Sequence, residues 1–118
     1  MTPYELGKLG EDLAAELLSK KGYQILERNW HSGHKEIDII ALDDTVLVIV
    51  EVKTRKSDDF GDPEIAVGNT KQRLLIWAAD AYVRKKHLNV DVRFDIISIV
   101  FNNEVPEIEH FEDAFVVL

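Results

Sequence analysis

The stretch EIDIIALDDTVLVIVEVKTR, residues 36–55, decides the fold of this chain. It contains two runs rich in Ile, Leu and Val, separated by Asp43–Asp44, a pair that favours a tight turn. The two runs are therefore predicted to form a β-hairpin. Three charged residues, Asp38, Glu51 and Lys53, stand within these apolar strands and need a separate explanation.

The middle of each predicted strand is apolar on both faces. Since side chains alternate along a strand, one face is expected to carry Ile37, Ile39, Val46, Val48 and Val50, and the other Ile40, Leu47 and Ile49. A sheet that is apolar on both faces needs cover on both faces, so we expect a helix on each side.

The residues before the hairpin predict a helix over 2–22, with a clear beginning and end. Thr2 suits the N-cap, Pro3 the first helical position, and Glu5 completes a capping box, while Gly22 suits the end. The buried stripe is predicted to consist of Leu6, Leu9, Leu13 and Leu17.

The rest of the chain alternates between strand and helix signals. Residues 23–30 read as a strand, HSGH (31–34) as a loop, 70–86 as a helix, 92–101 as a strand, and 107–118 as a further edge strand. Pro63 and three Asp block regular structure in the loop that follows the hairpin. The predicted fold is α/β: helix, three strands, helix, and one or two strands around a mixed sheet.

Length and composition limit the classes of function. A chain of 118 residues suits one domain, residues 1–118. No apolar run approaches the ~20 residues needed to cross a bilayer, and no signal-like segment appears, so a cytoplasmic protein without membrane contact is expected. Cysteine is absent, which excludes thiolate chemistry. A net charge of −8 argues against a general nucleic-acid coat protein but leaves room for a local basic site.

The turn length decides how the three charged residues meet. A two-residue turn at Asp43–Asp44 makes Glu51 the diagonal neighbour of Asp38. A four-residue turn pairs the two carboxylates directly, and a three-residue turn puts them on opposite faces. Glu51 and Lys53 share a face in every case.

Two carboxylates held together beneath a covered sheet are costly unless a cation compensates them. Lys53 can neutralise one, and the second suggests Mg²⁺ or Mn²⁺, with the backbone carbonyl of Val52 as a further ligand. Such a metal can activate water and stabilise charge on a phosphoryl oxygen, while Lys53 orients the water or stabilises the transition state. The alternative is a solvated ion pair between Glu51 and Lys53, which is common at strand ends.

Asp38, the dozen residues after it and then Glu-x-Lys form a pattern that resembles the PD-(D/E)xK nucleases. Blocks such as GKLGEDLAAELL, GYQILERNW, LVIVEVKTR and KQRLLIWAADAYV resemble the YraN-type family of small bacterial proteins over nearly the whole chain. That family is assigned to the restriction-endonuclease-like fold and is similar to archaeal Holliday-junction resolvases. The resemblance implies Asp38, Glu51 and Lys53 as the active-site set, with Glu11 as a fourth acidic contributor. Ile37 stands where the superfamily motif is named for proline.

Several other polar residues are candidates for the same site. Glu11 lies at the margin of the predicted Leu stripe, so it points either at the site or into solvent. Lys71 falls inside the apolar arc of the second helix and is expected to reach the carboxylates, a bound phosphate or solvent. A cationic rim for nucleic acid is predicted from Lys35, Arg55, Lys56, Lys71 and Arg73.

The histidines carry weaker signals. His31 and His34 lack the spacing and additional ligands of zinc motifs, so they are read as surface residues or phosphate contacts. No role is assigned to His110.

The resulting expectation is a Mg²⁺- or Mn²⁺-dependent phosphodiesterase that acts on DNA in preference to RNA. A homodimer would suit cleavage of both strands. Two alternatives stay open: a weak or inactive nucleic-acid-binding module that assists another DNA-processing enzyme, and a metal- or protein-binding accessory factor.

Overall fold

The computed structural model describes residues 1–57, 67–103 and 105–115. These residues form two helices and five strands, in the order α1 (Pro3–Lys20), β1 (Gln24–Ser32), β2 (Lys35–Asp43), β3 (Val46–Lys56), α2 (Asn69–Lys85), β4 (Val92–Phe101) and β5 (Glu107–Phe115). The loop predicted around Pro63 lies almost entirely outside the described residues. No helix in the described ranges is long and apolar enough to span a membrane.

The five strands form one mixed sheet in the order β1-β2-β3-β4-β5. Only β3 and β4 run parallel, and their connection contains α2. A parallel pair cannot be closed by a tight turn, which is why a helix stands between these two strands. The arrangement confirms the predicted α/β fold class and is consistent with a restriction-endonuclease-like fold.

Each face of the sheet is covered by one helix, as expected. On one face, Leu75 and Ala78 of α2 pack with Ile40, Leu47 and Ile49. On the other face, the α1-side cluster consists of Ala14, Leu18, Tyr23, Ile39, Ala41, Val48, Val50, Ile97 and Ile99. The hairpin β2–β3 therefore lies at the centre of both cores.

Helix α1 begins as predicted, but the prediction of its buried stripe is wrong. The Thr2 hydroxyl accepts from the Glu5 N–H at 3.1 Å, and the Glu5 carboxylate accepts from the Thr2 N–H at 3.0 Å, which completes the capping box. The fully buried positions are Gly10, Ala14 and Leu18, and Leu9 is exposed. Small residues face the sheet here because the helix lies close to Thr54 of β3.

The hairpin turn lies one residue later than predicted. Asp43 pairs with Val46, so the turn residues are Asp44 and Thr45. Asp44 adopts a positive φ of 55°, which Asp tolerates better than most residues. The last registered pair is Ile39–Val50, and continuing this register places Asp38 opposite Glu51.

The expected alternation of faces fails at the start of β2. Ile37 packs in the cluster beneath α2 with Ile40, whereas Ile39 packs beneath α1. Asp38 lies between them, and Asn29 of β1 lies opposite Asp38, between the pairs Arg28–Ile39 and Trp30–Ile37. Asn29 has a positive φ of 51°, so the irregularity involves both strands.

One strand boundary differs from the sequence-based expectation. His31 and Ser32 belong to β1, not to a loop, and Gly33 and His34 turn the chain. The predicted edge strand is present as β5 over Glu107–Phe115, and the last three residues of that prediction, 116–118, lie outside the described residues.

Candidate active site

The centre of the candidate site is the point where β2 and β3 cease to pair. Beyond the pair Ile39–Val50, the Val52 N–H donates to Oδ2 of Asp38 at 2.8 Å. The side chain of Asp38 therefore takes the place of a ladder carbonyl. This bond fixes one oxygen of the carboxylate beside Glu51, the neighbour of Val52.

The two carboxylates perturb each other. Burial, together with the negative charges of Glu51 and Glu11, raises the pKa of Asp38 to about 7, while the hydrogen bond from the Val52 N–H opposes the shift. Burial also raises the pKa of Glu51, against the lowering effect of the Lys71 and Lys53 ammonium groups. Crowded carboxylates of this kind favour the binding of protons or metal cations.

Glu51 is buried without a full set of partners. Its side chain is only 14% exposed, and its Oε2 atom has no hydrogen-bond partner among the described residues. Lys71 Nζ lies 3.6 Å from this oxygen, which makes an ionic contact but is too long for a hydrogen bond. Lys71 comes from α2, so the helix supplies a positive charge to the strand carboxylates.

On the α1 side, an acidic groove opens next to the pair. The side-chain amide of Asn29 is oriented with its nitrogen toward Glu11 and Glu36. In the opposite orientation its oxygen would face only carboxylate oxygens, which cannot donate a hydrogen bond. The nitrogen then donates to Glu11 at 3.2 Å and to Glu36 at 3.3 Å. These three residues line a cavity of about 470 Å³ with His31, Pro3, Tyr4, Gly7 and Lys8.

Asn29 and Glu36 were not singled out by the sequence. A signal was present in Asn29, since a polar residue that tolerates positive φ stands inside a strand. Glu36 gave no such signal, because a charged residue next to a turn is usually a solvent-exposed surface residue. Its negative charge nevertheless raises the pKa of Glu51.

The predicted cationic rim is divided between both faces of the molecule. Lys53 and Arg55 line a cleft with Thr54 and Ser98, and within the described ranges the buried Arg55 Nε atom has no hydrogen-bond partner. Lys56 lines a separate groove beside the start of α1. The other three cations are associated with the α2 side: Lys71 at Glu51, Lys35 over the Trp77 ring, and Arg73 exposed on the helix.

The histidines form no metal centre with one another. His31 is exposed with its Nε2 3.7 Å from Glu36, and His34 is exposed at the turn. His110 Nε2 lies 2.7 Å from the buried carboxylate of Asp95 on β4, and not at the turn that contains His34. In the three described ranges, no three His, Asp or Glu side chains are gathered closely enough to hold a metal ion by themselves.

The sequence is similar to a known family over most of its length. The model of the family described as "Uncharacterised protein family UPF0102" matches residues 10–99. The chain belongs to the UPF0102 family. A UPF0102 protein of Flavobacterium psychrophilum is 53% identical over 111 residues, which cover 94% of this chain and 93% of that protein. A relative from Phocaeicola vulgatus is 50% identical over 111 residues, covering 94% and 92% of the two chains.

UPF0102 is the YraN-type family that the sequence resembles. The matched range contains every candidate catalytic residue, from Glu11 in α1 to Lys71 in α2, and ends within β4 at residue 99. The edge strand β5 lies outside it. The family match therefore covers the helices and strands that bring the carboxylates together.

Proposed function

We propose that this protein is a metal-dependent nuclease that hydrolyses phosphodiester bonds in DNA. The observation that carries the proposal is the half-buried pair Asp38–Glu51, in which one carboxylate has a raised pKa and the other has a buried oxygen without a hydrogen-bond partner in the described part of the chain. A structural ion pair would normally be satisfied on both sides. This pair has unused acceptor capacity that a cation can fill.

The donor set fits a small, hard divalent cation. Asp38, Glu51 and the carbonyl of Val52 would hold Mg²⁺ or Mn²⁺, and the remaining positions suit water, as is usual for Mg²⁺. Such an ion, when bound, polarises the phosphodiester and makes water a better nucleophile at neutral pH. The small number of protein ligands matches the absence of a larger acidic cage in the described residues.

The cationic side chains have separate tasks in this proposal. Lys53 orients the attacking water or stabilises the charge of the transition state. Lys71 balances the charge of Glu51 before a cation binds, since its ammonium lies 3.6 Å from Oε2. Glu11 is the third carboxylate of the set and is positioned by the Asn29 amide.

The nucleic-acid contacts are assigned to the predicted basic residues. Arg55 lines the cleft with Lys53, and its guanidinium offers several fixed donors that suit a phosphate. Lys35, Lys56, Lys71 and Arg73 supply further positive charge for the backbone. The resemblance to junction resolvases favours branched DNA, including recombination and repair intermediates, over RNA.

The test combines a substrate panel with two variants. Linear, single-stranded and branched DNAs, with a matched RNA, are incubated with the purified protein and Mg²⁺ or Mn²⁺, and cleavage is followed by gel. Asp38→Asn and Lys53→Ala are each expected to abolish cleavage, and calorimetry should show lower metal affinity for Asp38→Asn alone. The reason is that Asp38 holds the metal, whereas Lys53 acts on the reacting groups.

Full cleavage by either variant would reject these residue roles. Salt-sensitive DNA binding without cleavage by the wild type would favour the binding-module alternative. If the wild type neither binds nor cleaves nucleic acid, the accessory-factor alternative gains support.

A further inference from the structure

Trp77 is an exposed aromatic residue on the outer surface of α2. It leaves 55% of its surface exposed, although tryptophan is among the most buried residues on average. Lys35 Nζ lies 5.6 Å from the centre of its ring, within the range of a cation–π contact. The side chain therefore offers a large, oriented ring that the fold itself does not cover.

Two elements place this ring near the carboxylate pair. Lys35 precedes Asp38 by three residues in β2, which is about 10 Å of strand. Lys71 contacts Glu51 and precedes Trp77 by six residues in α2, which is about 9 Å of helix. Both paths place the ring on the order of 10 Å from the carboxylates, a separation that a few nucleotides of one DNA strand can span.

The surroundings of Trp77 combine apolar and cationic groups. Arg73 lies one helical turn before Trp77 and is exposed, and Leu74 is partly exposed beside it. Asp80, the acid on the following turn, is paired with Arg84 at 3.0 Å. In a chain with a net charge of −8, Lys35 and Arg73 give this surface a local positive charge that complements the phosphates of a nucleic acid.

We propose that Trp77, with Lys35 against its ring, is a stacking platform for an unpaired base of the nucleic-acid strand that enters the active site. Base–aromatic stacking tolerates any sequence, while Lys35 and Arg73 contact the backbone. A base inside a perfect duplex cannot stack on a protein ring, so the platform selects DNA with unpaired nucleotides near the cut. This inference rests on the proposed nuclease function and specifies its substrate class.

Binding is measured without metal, so that cleavage does not interfere. Labelled oligo-dT, a flapped duplex and a blunt duplex are titrated with the full chain in EDTA. Trp77→Ala should weaken binding of oligo-dT and of the flap by about tenfold or more, since one stacked base contributes that much. Trp77→Phe should stay near wild type. Leu74→Ala is the control for loss of apolar surface without loss of a ring.

Fluorescence gives a second measurement on the same surface. Trp30 and Trp77 are the two tryptophans of the chain, so Trp30→Phe leaves Trp77 as the sole reporter. Oligo-dT should quench its emission, and a blunt duplex should not. Because Trp77 is exposed, none of its variants is expected to impair folding.

Three results would overturn the platform. These are equal weakening of all three DNAs by Trp77→Ala, no binding of oligo-dT by the wild type, and a dimer that Trp77→Ala dissociates without changing DNA affinity. The last would make this surface an interface between two copies. If Trp77→Ala cleaves DNA as well as the wild type does with metal, the platform is rejected but the nuclease function is not. If DNA binding depends on Trp77 but no cleavage occurs, the nuclease function is rejected but the platform is not.

Discussion

Asp38 combines a structural and a candidate catalytic position in one side chain. Its Oδ2 atom accepts the Val52 N–H where the β-ladder ends, and its charge acts on Glu51. A carboxylate that serves only to accept a backbone N–H would have a lowered pKa. Burial and the neighbouring acids instead raise the pKa of Asp38 to about 7, so the arrangement costs stability in the metal-free protein.

This cost predicts an unusual dependence of stability on pH. The pKa of Asp38 is higher in the folded state than its ordinary value of 3.8, so the folded state binds the proton more tightly. The contribution of Asp38 to the free energy of unfolding is therefore greatest below about pH 4, and it is lost as the pH rises through about 7. Asp38→Asn cannot ionise and keeps an oxygen for the Val52 N–H.

We expect Asp38→Asn to be more stable than wild type by on the order of 2 kcal/mol at about pH 8, with a small difference at about pH 4. Urea unfolding in EDTA at several pH values measures this, with Asp44→Asn at the exposed turn as the control.

Added Mg²⁺ at about a hundred times its dissociation constant should stabilise the wild type by ~2.7 kcal/mol and the variant by less. If the stability of Asp38→Asn depends on pH as that of the wild type does, and Mg²⁺ stabilises both proteins equally, then Asp38 is an ordinary strand residue.

At the scale of the elements, the close approach of α1 to β3 decides where Glu11 stands. A Cβ atom on Gly10 would collide with the Thr54 hydroxyl, so only glycine allows this helix to lie so near the sheet. Glu11 follows Gly10 directly, and its carboxylate reaches the Asn29 amide. The helix position and the acidic groove are therefore linked through one residue without a side chain.

Two glycines of α1 offer a matched test of this packing. Gly10→Ala should destabilise the protein by about 1–3 kcal/mol, because the new methyl group has no space beside the stiff Thr54 side chain. Gly7→Ala should stabilise it by up to about 1 kcal/mol, because nothing lies within 4 Å of that position and alanine favours the helix.

Thermal unfolding of both variants distinguishes the two effects. The double variant Gly10→Ala with Thr54→Ala should regain part of the loss, since the hydroxyl is removed. Equal behaviour of the two single variants would contradict the proposed close approach.

At the scale of the whole molecule, edge strand β5 carries a row of exposed acids: Glu107, Glu109, Glu112 and Asp113. Such acids protect a free edge from pairing with other chains. Under the proposed function they would also repel nucleic acid, so DNA is expected to bind away from β5, at the carboxylate cleft and α2. A net charge of −8 is thus compatible with a local nucleic-acid site.

A buried polar network attaches β5 to the rest of the sheet. Asp95 of β4 is fully buried and accepts from Arg93 at 2.9 Å twice and from the Asp113 N–H at 3.0 Å, with His110 Nε2 at 2.7 Å. Burial by itself would raise the pKa of Asp95, but the hydrogen bonds from His110 and Arg93 outweigh it and lower the pKa. The ionised carboxylate therefore stabilises the edge strand.

Asp95→Asn should destabilise the protein by about 3 kcal/mol near neutral pH, because Arg93 and its neighbours lose a buried counter-charge. The folded-state pKa is lowered, so this contribution is present above the unfolded pKa of about 3.8 and is lost as the pH falls through the folded value. The difference in the free energy of unfolding between the variant and the wild type should therefore become smaller below about pH 4.

Urea unfolding measures this difference in stability. Hydrogen exchange of the β5 amides should show local opening of the strand in Asp95→Asn. Asp80→Asn, which removes an exposed pair with Arg84, should cost less than about 1 kcal/mol. Unchanged exchange in β5 of Asp95→Asn would contradict the anchoring role.

The sequence by itself determined the elements whose signals are local. The sequence predicts the Thr2–Glu5 capping box and the strand Val92–Phe101 at their observed positions, and the two strands of the hairpin to within one residue. Each depends on residues close together in the chain, where capping and strand propensity act directly. The placement of helices on both faces followed from the same apolar pattern.

Only the tertiary structure decided which surfaces meet. The Leu stripe predicted for α1 is not its most buried face, which consists of Gly10, Ala14 and Leu18, because Thr54 of β3 lies so close to α1 that only a glycine fits at position 10. The Asn29 bridge, the orphaned Glu51 oxygen and the Asp95 network each join residues from different elements. Periodicity reports the pattern along one element, but burial, charge coupling and hydrogen bonding between elements depend on distances that exist only after the chain has folded.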